Sequence, residues 1–571
     1  MTESDGNLRL AGPADTWSLS DWEAEAATVL RKSRRLGEDD PDARVWDKLT
    51  RTTLDGIAIT PLGRAADLEG LATVGRPTRV GAWDIRAHLT APGVAAAAAN
   101  ETALADLEGG VTSLWLRADA DTDLDGVLAG VYLDLAPVVL DAPTAALAVA
   151  QAFVRHLEST EPAPGTNLGA DALAEADTLV AVARLAADAG VLGVVVDSTA
   201  VHDRGASDAQ ELAYGLAAGV RVLRVLEDAG IDTAAAAALL EFRIAVTDEQ
   251  FPSIAKLRAA RRLWVRVLEL AGVADGAQRQ HAVTSRPMMS AYDPYVNMLR
   301  TTVAAFAAGV GGAEAVTVLP FDAPLGRPEA FGRRIARNIS HLLIDEAHLG
   351  KVGDIAGGAY AVEKLTDDLA QAAWAIFVDL DAAVSAGSSL DEAIAPLVAA
   401  TVAEREKQVA TRKRPITGLS EFPNLAETLP ERQPDGAFDG VRSYGASFEA
   451  LRATPPATPV FLATLGPIAA HTARATFAAN LFAAGGVAVE AAGPTSGPDD
   501  LVAAYTGQPV VCLAGADTAY EEWGAAAAAA LRAAGATRVI IAGKATDYTD
   551  DSCAMGVDAL AFLTRTREAL S

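Results

Sequence analysis

The chain has 571 residues, half of them hydrophobic, which is enough for two or more cored domains and excludes a disordered polymer. Its 47 basic and 75 acidic residues leave a net charge of −28. Such a surface repels phosphate backbones and anionic lipid, so nucleic-acid and membrane roles are disfavoured. The two cysteines, Cys512 and Cys553, sit in or beside apolar segments without zinc-site spacing and read as buried thiols. The opening Met1-Thr2-Glu3-Ser4-Asp5 lacks the basic-then-apolar pattern of a leader. The longest alanine tract, Ala525–Ala530, is far too short to span a bilayer, and a cytoplasmic, reducing location is expected.

In chain order, residues 1–40 are polar, with a helix expected from about Ser20 to Leu36. Trp17 and Trp22 are large apolar side chains there. They read as an arm's anchors on a partner surface, with packing onto their own domain as the alternative. From Val45 to Val384, short apolar runs alternate with helical stretches. Gly56–Thr60, Thr112–Leu116, Gly130–Leu133, Val191–Asp197, Gln280–Val283 and Ala315–Leu319 are the expected strands. Ala145–His156, Ala170–Ala189, Ala206–Ala218, Thr233–Leu240 and Ile254–Ala271 are the expected helices. Alternation of this length predicts an α/β fold, a (β/α)8 TIM barrel over residues 41–384.

Residues 385–456 open with a helix, Leu390–Val409, then turn basic at Arg412-Lys413-Arg414 and Pro-rich up to Pro455-Pro456. They read as a helical and irregular interdomain linker. Residues 457–571 form a second α/β unit with strands at Val460–Leu465, Val487–Glu490, Val510–Ala514, Arg538–Ala542 and Ala559–Phe562. Helices are expected at Thr472–Phe482, Asp499–Tyr505, Ala519–Ala533 and Asp550–Met555. Five strands at this spacing predict a flavodoxin-like, doubly wound parallel sheet.

Several stretches resemble methylmalonyl-CoA mutase and related acyl-CoA mutases. Asp293-Pro294-Tyr295-Val296-Asn297-Met298-Leu299-Arg300-Thr301-Thr302 resembles the family's DPYNNxxRT, and Gly311-Gly312 and Phe321-Asp322 follow at its spacing. Arg334-Ile335-Ala336-Arg337-Asn338 matches RIARN, and Ile254–Arg261 matches IAKLRAAR. Asp354–Tyr360 is similar to DPxAGSY, and Trp83-Asp84-Ile85-Arg86 to WTIRQ. The last 115 residues resemble the family's cobalamin-binding module. Each stretch has a plainer reading as loop scaffolding.

The resemblance fails where chemistry would reside. The family's Asp-x-His-x-x-Gly falls on Ile468, Ala470 and Ala473, so the cobalt-ligand position holds alanine. His471, one residue on, reads as a bystander. The family's Tyr-His pair, which contacts the substrate carbonyl, falls on Thr199 and Ala200. His202, two residues on, reads as a surface or loop histidine. The segment carrying the family's carboxylate-binding arginine is missing where Gly165–Gly169 runs almost directly into an alanine-rich helix, and the glutamate before IAK is Ser253. The Ser-x-Leu against the cofactor tail becomes Val511-Cys512-Leu513, and Lys544 replaces the second glycine of a pair.

The resemblance and its losses together imply the non-catalytic small (beta) chain of a heterodimeric mutase. The implied reaction interconverts (R)-methylmalonyl-CoA and succinyl-CoA by a radical 1,2-rearrangement. Adenosylcobalamin, the acyl-CoA substrate and the catalytic groups would belong to the large (alpha) subunit. No catalytic, cofactor-binding or metal-binding residue is expected in this chain. A subunit of a related acyl-CoA mutase, or a chain with residual CoA or cobalamin binding of its own, is the alternative.

Overall fold

The computed structural model describes residues 16–71, 75–157, 160–274 and 276–571. Residues 1–15 of the expected arm lie outside the described residues. Helix α1 (Leu19–Lys32) starts on a capping box. The Ser18 hydroxyl accepts the Asp21 amide, and the Asp21 carboxylate accepts the Ser18 amide. Helix α1 and the short α2 (Val45–Leu49) share a small core of Ala27, Leu30, Leu36 and Val45, separate from the main cores. Trp22 packs into it against Trp46, ring centroids 4.9 Å apart, whereas Trp17 is 77% exposed. Trp22 thus serves the segment's own core.

Eight parallel strands close into a barrel: β1 (Asp84–Thr90), β2 (Ser113–Arg117), β3 (Val138–Asp141), β4 (Asn167–Asp171), β5 (Leu192–Asp197), β6 (Leu240–Val246), β7 (Arg279–Thr284) and β8 (Ala315–Thr317). β8 pairs back to β1 through Ala315–Asp84 and Val316–Ile85. The helices around it that bear on function are α3 (Ala96–Glu108), α4 (Asp208–Asp228), α5 (Gln250–Leu270), α6 (Val296–Gly311) and α7 (Ala330–His341).

Several expected elements are corrected. Gly56–Thr60 contributes only Ala58–Ile59, paired antiparallel with Arg51–Thr52 outside the barrel. Gly130–Leu133 is turn; Gly130 has φ 76°, a left-handed conformation that no strand continues through. The strands β1, β3, β4 and β6 were not anticipated. Ala170 lies in β4, and the helix after it begins at Ala176. β1 and β6 escape a search for apolar runs because their inward positions carry Arg86, His88, Glu241 and Arg243.

Helix α8 (Leu390–Ala410) also starts on a capping box, Ser389 with Glu392. The residues after it are not a loose linker. Residues 411–449 run as a strap over the C-terminal ends of the barrel strands. Arg300 donates to the Thr417 carbonyl at 2.6 Å, Tyr444 N–H to the Pro287 carbonyl at 2.8 Å, and Ser290 to Glu449 at 2.9 Å. The strap also meets the second unit, where Phe422 N–H donates to Asn480 at 2.8 Å and the Arg412 guanidinium lies 5.2 Å from the Phe477 ring centre.

The second sheet is fully parallel, with strands β9 (Val460–Leu465), β10 (Val489–Ala491), β11 (Val510–Gly515), β12 (Arg538–Ala542) and β13 (Asp551–Cys553) in the order β10-β9-β11-β12-β13. That is the flavodoxin-like order. Helix α9 (Ile468–Ala484) follows β9, and α10 (Ala559–Leu570) closes the chain. At the end the expected pair is reversed. Asp550–Met555, expected helical, contains the edge strand β13, tied to β12 by Arg538–Asp551 at 2.7 Å. Ala559–Phe562, expected as a strand, starts α10, capped by Asp558 accepting the Ala561 amide. Phe562, Leu563, Thr566 and Leu570 then fall at helical spacing on the buried face. No helix among the described residues is long and apolar enough to cross a membrane.

Candidate functional site

Two places can be tested for a site: the barrel axis with its C-terminal mouth, and the C-terminal edge of the second sheet. A TIM barrel interior is ordinarily layered with Val, Ile and Leu. Here the inward positions carry charges. Glu241 on β6 accepts from Arg86 on β1 at 2.6 Å and from Arg279 on β7 at 3.1 Å. Arg86 also donates to Ser113 at 3.1 Å. One layer higher, Arg243 pairs with Asp197 at 2.7 Å and its guanidinium lies 3.8 Å from the Trp115 ring centre.

The Trp115–Arg243 contact decides what the barrel can hold. In a ring of eight strands β2 and β6 stand opposite each other. A contact between them spans the whole diameter, so the axis is shut at that level. His88 and His281 pack on the same indole at 4.4 and 5.5 Å.

Electrostatics fix the protonation states. Burial raises the Glu241 carboxyl, but Arg86 and Arg279 outweigh it and hold the group below its ordinary range. Asp197 is held low in the same way by Arg243 against burial. Burial, then Arg86 and Arg243, push the His281 imidazole well below its ordinary value, so it is neutral. Arg243 donates to its Nδ1 at 3.3 Å, which leaves Nε2–H to donate to Thr317 at 2.7 Å.

At the mouth, His202 is not the surface histidine expected from the sequence. It is 2% exposed on the short helix Thr199–Asp203. The loop after β5 folds inward because Thr199 binds Asp197 through both its amide and its hydroxyl, at 2.9 and 2.6 Å. His202 Nε2 lies 2.7 Å from Ser285 Oγ and Nδ1 lies 3.1 Å from Glu211. The order serine–histidine–acid resembles a nucleophile with its base. Ser285, however, is 1% exposed and already accepts the Met288 amide, and Glu211 is bound to Lys256 at 2.8 Å. Without an open approach to the hydroxyl the arrangement is an internal brace. Ala200 is exposed and brings no polar group to the mouth. Ser253 is buried and caps the loop after β6, accepting the Thr247 amide at 3.0 Å.

At the second sheet, Gly466 takes φ 90° after β9 and the loop turns directly into α9. The Ala470 methyl stands where the ligand would be. His471 is buried, and its Nδ1 lies 3.1 Å from the Gly466 carbonyl, closing the loop upon itself. Ile468 is 63% exposed. Sequence reasoning missed Tyr520. A π-helical turn, Tyr520–Gly524, aims its ring under the sheet edge. The hydroxyl accepts the Gly515 amide at 2.9 Å and reaches the Ala542 and Leu513 carbonyls at 2.9 and 3.1 Å. These are the two strand ends to which the resemblance assigns the cofactor tail. Burial pushes this phenol up to about 12. Lys544 is exposed, and Cys512 and Cys553 are buried and free. With no imidazole at 470 and Tyr520 in the groove, these residues do not fit a cobalamin bound by its lower face and tail.

Comparison with known proteins agrees with the architecture. A family model described as methylmalonyl-CoA mutase matches residues 189–454. The methylmalonyl-CoA mutase small subunit of Streptomyces virginiae is 44% identical, with 99% of each chain covered. A probable methylmalonyl-CoA mutase small subunit of Mycobacterium tuberculosis (strain ATCC 25618 / H37Rv) is 40% identical over 91% of this chain and 92% of the relative. The methylmalonyl-CoA mutase large subunit of Streptomyces virginiae is 34% identical over 39% of this chain and 31% of the relative. The chain belongs to the methylmalonyl-CoA mutase family, among its small subunits.

Proposed function

We propose that this chain is the non-catalytic partner in a two-chain mutase. The large subunit binds adenosylcobalamin and the acyl-CoA and interconverts (R)-methylmalonyl-CoA and succinyl-CoA by a radical 1,2-rearrangement. This chain supplies no catalytic, cofactor or metal residue and acts as a docking and stabilising scaffold. The observation that carries the reading is the Trp115–Arg243 contact across the barrel, which leaves no axial path for a substrate. Tyr520 and Ala470 support it at the second sheet. The related large subunit in Streptomyces virginiae supports a two-chain enzyme.

Within this reading residues 1–40 are the docking arm, 41–384 the barrel, 385–456 the strap and 457–571 the degenerate cobalamin-type module. The arm's outer face shows Trp17, Leu19 and Val29, 77%, 40% and 64% exposed, while its own core is complete. Exposed apolar side chains on a self-sufficient helical unit suit a partner surface.

The test is spectroscopic and hydrodynamic. The isolated chain mixed with adenosylcobalamin gives no base-off, histidine-ligated spectrum; such a spectrum would overturn the reading. Co-expressed with the large subunit it co-purifies, and deletion of residues 1–36 weakens that association. Unchanged affinity would remove the arm's role.

A further inference from the structure

A cavity of about 110 Å³ lies between β1, β8 and helix α7, with the strap as its roof. The roof is fixed by the Arg327 N–H donating to the Gln433 carbonyl at 2.6 Å, and it brings Asp435 and Phe438 over the opening. The walls are apolar, with Leu89, Val94, Leu319 and Phe438 among them. Five arginines also line it: Arg86, Arg286, Arg327, Arg333 and Arg337.

Four of these cations are paired, Arg86 with Glu241 at 2.6 Å in the barrel network. Arg333 and Arg337 share Asp106, Arg333 through its Nε at 3.0 Å and Arg337 at 3.2 Å, and Arg286 binds Asp203 at 3.0 Å. Arg327 differs. Among the described residues no carboxylate lies within 4.0 Å of its guanidinium, and its buried Nε has no hydrogen-bond partner. Asp435, the other lining carboxylate, accepts the Ala437 amide at 3.0 Å. Arg327 is thus the lining guanidinium left without a carboxylate partner among the described residues.

His88 lines the same cavity. It is partly exposed onto this cavity, and no protein group hydrogen-bonds its ring among the described residues. Burial, then Arg286 and Arg333, hold its imidazole well below the ordinary value. The neutral imidazole shares the cavity with Arg327 and has an N–H to offer an incoming anion.

We propose that this cavity binds a short-chain aliphatic carboxylate, with its carboxylate on Arg327 and its hydrocarbon body against Leu89, Val94 and Leu319. The single unpaired guanidinium, Arg327, suits a monoanion, and the apolar walls select a hydrocarbon body over a bare ion. The volume sets the size. It is somewhat below the ~150 Å³ cavity that accepts benzene, so the ligand has roughly four to six non-hydrogen atoms, acetate to butyrate.

The test is calorimetric titration of the full-length chain with butyrate. Three probes run beside it: butyramide, which keeps the shape without the charge; inorganic phosphate, which keeps charge without the body; and octanoate, which exceeds the volume. Butyrate is expected to bind with a dissociation constant on the order of 1 mM. The other three bind at least about tenfold more weakly. Arg327→Gln weakens butyrate about tenfold or more, Arg327→Lys recovers part of the loss, and Val94→Phe, which fills the cavity, abolishes binding. The Arg327 side chain bonds no protein group among the described residues, so Arg327→Gln is expected to keep the wild-type melting temperature. No butyrate binding, equal affinity for butyramide or phosphate, or unchanged affinity in Arg327→Gln overturns the proposal.

Discussion

The barrel interior and the edge of the second sheet are both filled, but by opposite means. The barrel is closed with ions: Arg86, Arg279 and Arg243 against Glu241, Asp84 and Asp197, with Trp115 laid across them. The sheet edge is closed with one neutral aromatic side chain, Tyr520, and the methyl of Ala470. The difference teaches where each closure is vulnerable. A buried ion network is held by mutual compensation, so removing one member strands the others in a low dielectric. An aromatic plug is held by packing and one hydroxyl, so its loss leaves a hole.

The contrast can be broken in graded steps. Glu241→Ala leaves Arg86 and Arg279 without their shared partner and is expected to destabilise the barrel by about 3–5 kcal/mol, read from the denaturant midpoint. Tyr520→Ala should cost the sheet about 3 kcal/mol, and pairing it with Ala470→His is the strongest attempt to reopen a cobalamin groove. If the double variant then gives a histidine-ligated cobalamin spectrum while Ala470→His alone does not, the tyrosine is the barrier. If Ala470→His alone suffices, the plug reading fails.

A third step concerns Asp55 beside the barrel mouth, which binds Ser207 and the Ala209 amide. Burial, then Asp208, push its carboxyl up to about 6. In the unfolded chain it titrates near 3.9. Between these values the folded state holds a proton that the unfolded state has lost, so stability falls as pH rises. The fall amounts to about 2–3 kcal/mol from pH 4 to pH 7 and should vanish in Asp55→Asn, compared by melts across that window. Tyr520→Phe, which removes only the hydroxyl, should cost about 1–2 kcal/mol. Lys544→Ala is the smallest, within about 0.5 kcal/mol, because the side chain is solvated. A large effect there would put the lysine inside the groove after all.

The fold class was legible because alternation of strand and helix survives in the apolar runs of β2, β5 and β7, and in Val460–Leu465. β1 and β6 were not, because their inward residues are the charges that plug the barrel. The same fact hid both the strands and the network. A period of two in Asp84, Arg86 and His88, and in Glu241 and Arg243, was the available signal. The reversed end of the second unit has a similar cause. Asp551–Cys553 is a short edge strand of polar type, whereas Ala559–Leu570 is apolar enough at its start to resemble a buried one. Motif spacing alone put alanine at the two positions, Ala470 and Ala200, to which the resemblance assigns histidines. Tyr520 was not legible, because it lies inside a stretch that reads as one continuous helix, and only the π-helical turn redirects it.

The strap has a consequence for how the chain comes off the ribosome. Its anchors on the barrel lie far along the sequence: Arg300 waits for Thr417, 117 residues later, and Ser290 for Glu449, 159 residues later. At roughly 5–20 residues per second, about 6–30 s separate the synthesis of each barrel anchor from that of its strap partner. During that interval Asn297, Arg300 and Asp322 have no roof and the β8–α7 cleft stands open. The nascent barrel is therefore expected to be most vulnerable to protease and aggregation in that window, and a chain truncated near residue 410 should behave as a permanently trapped version of it.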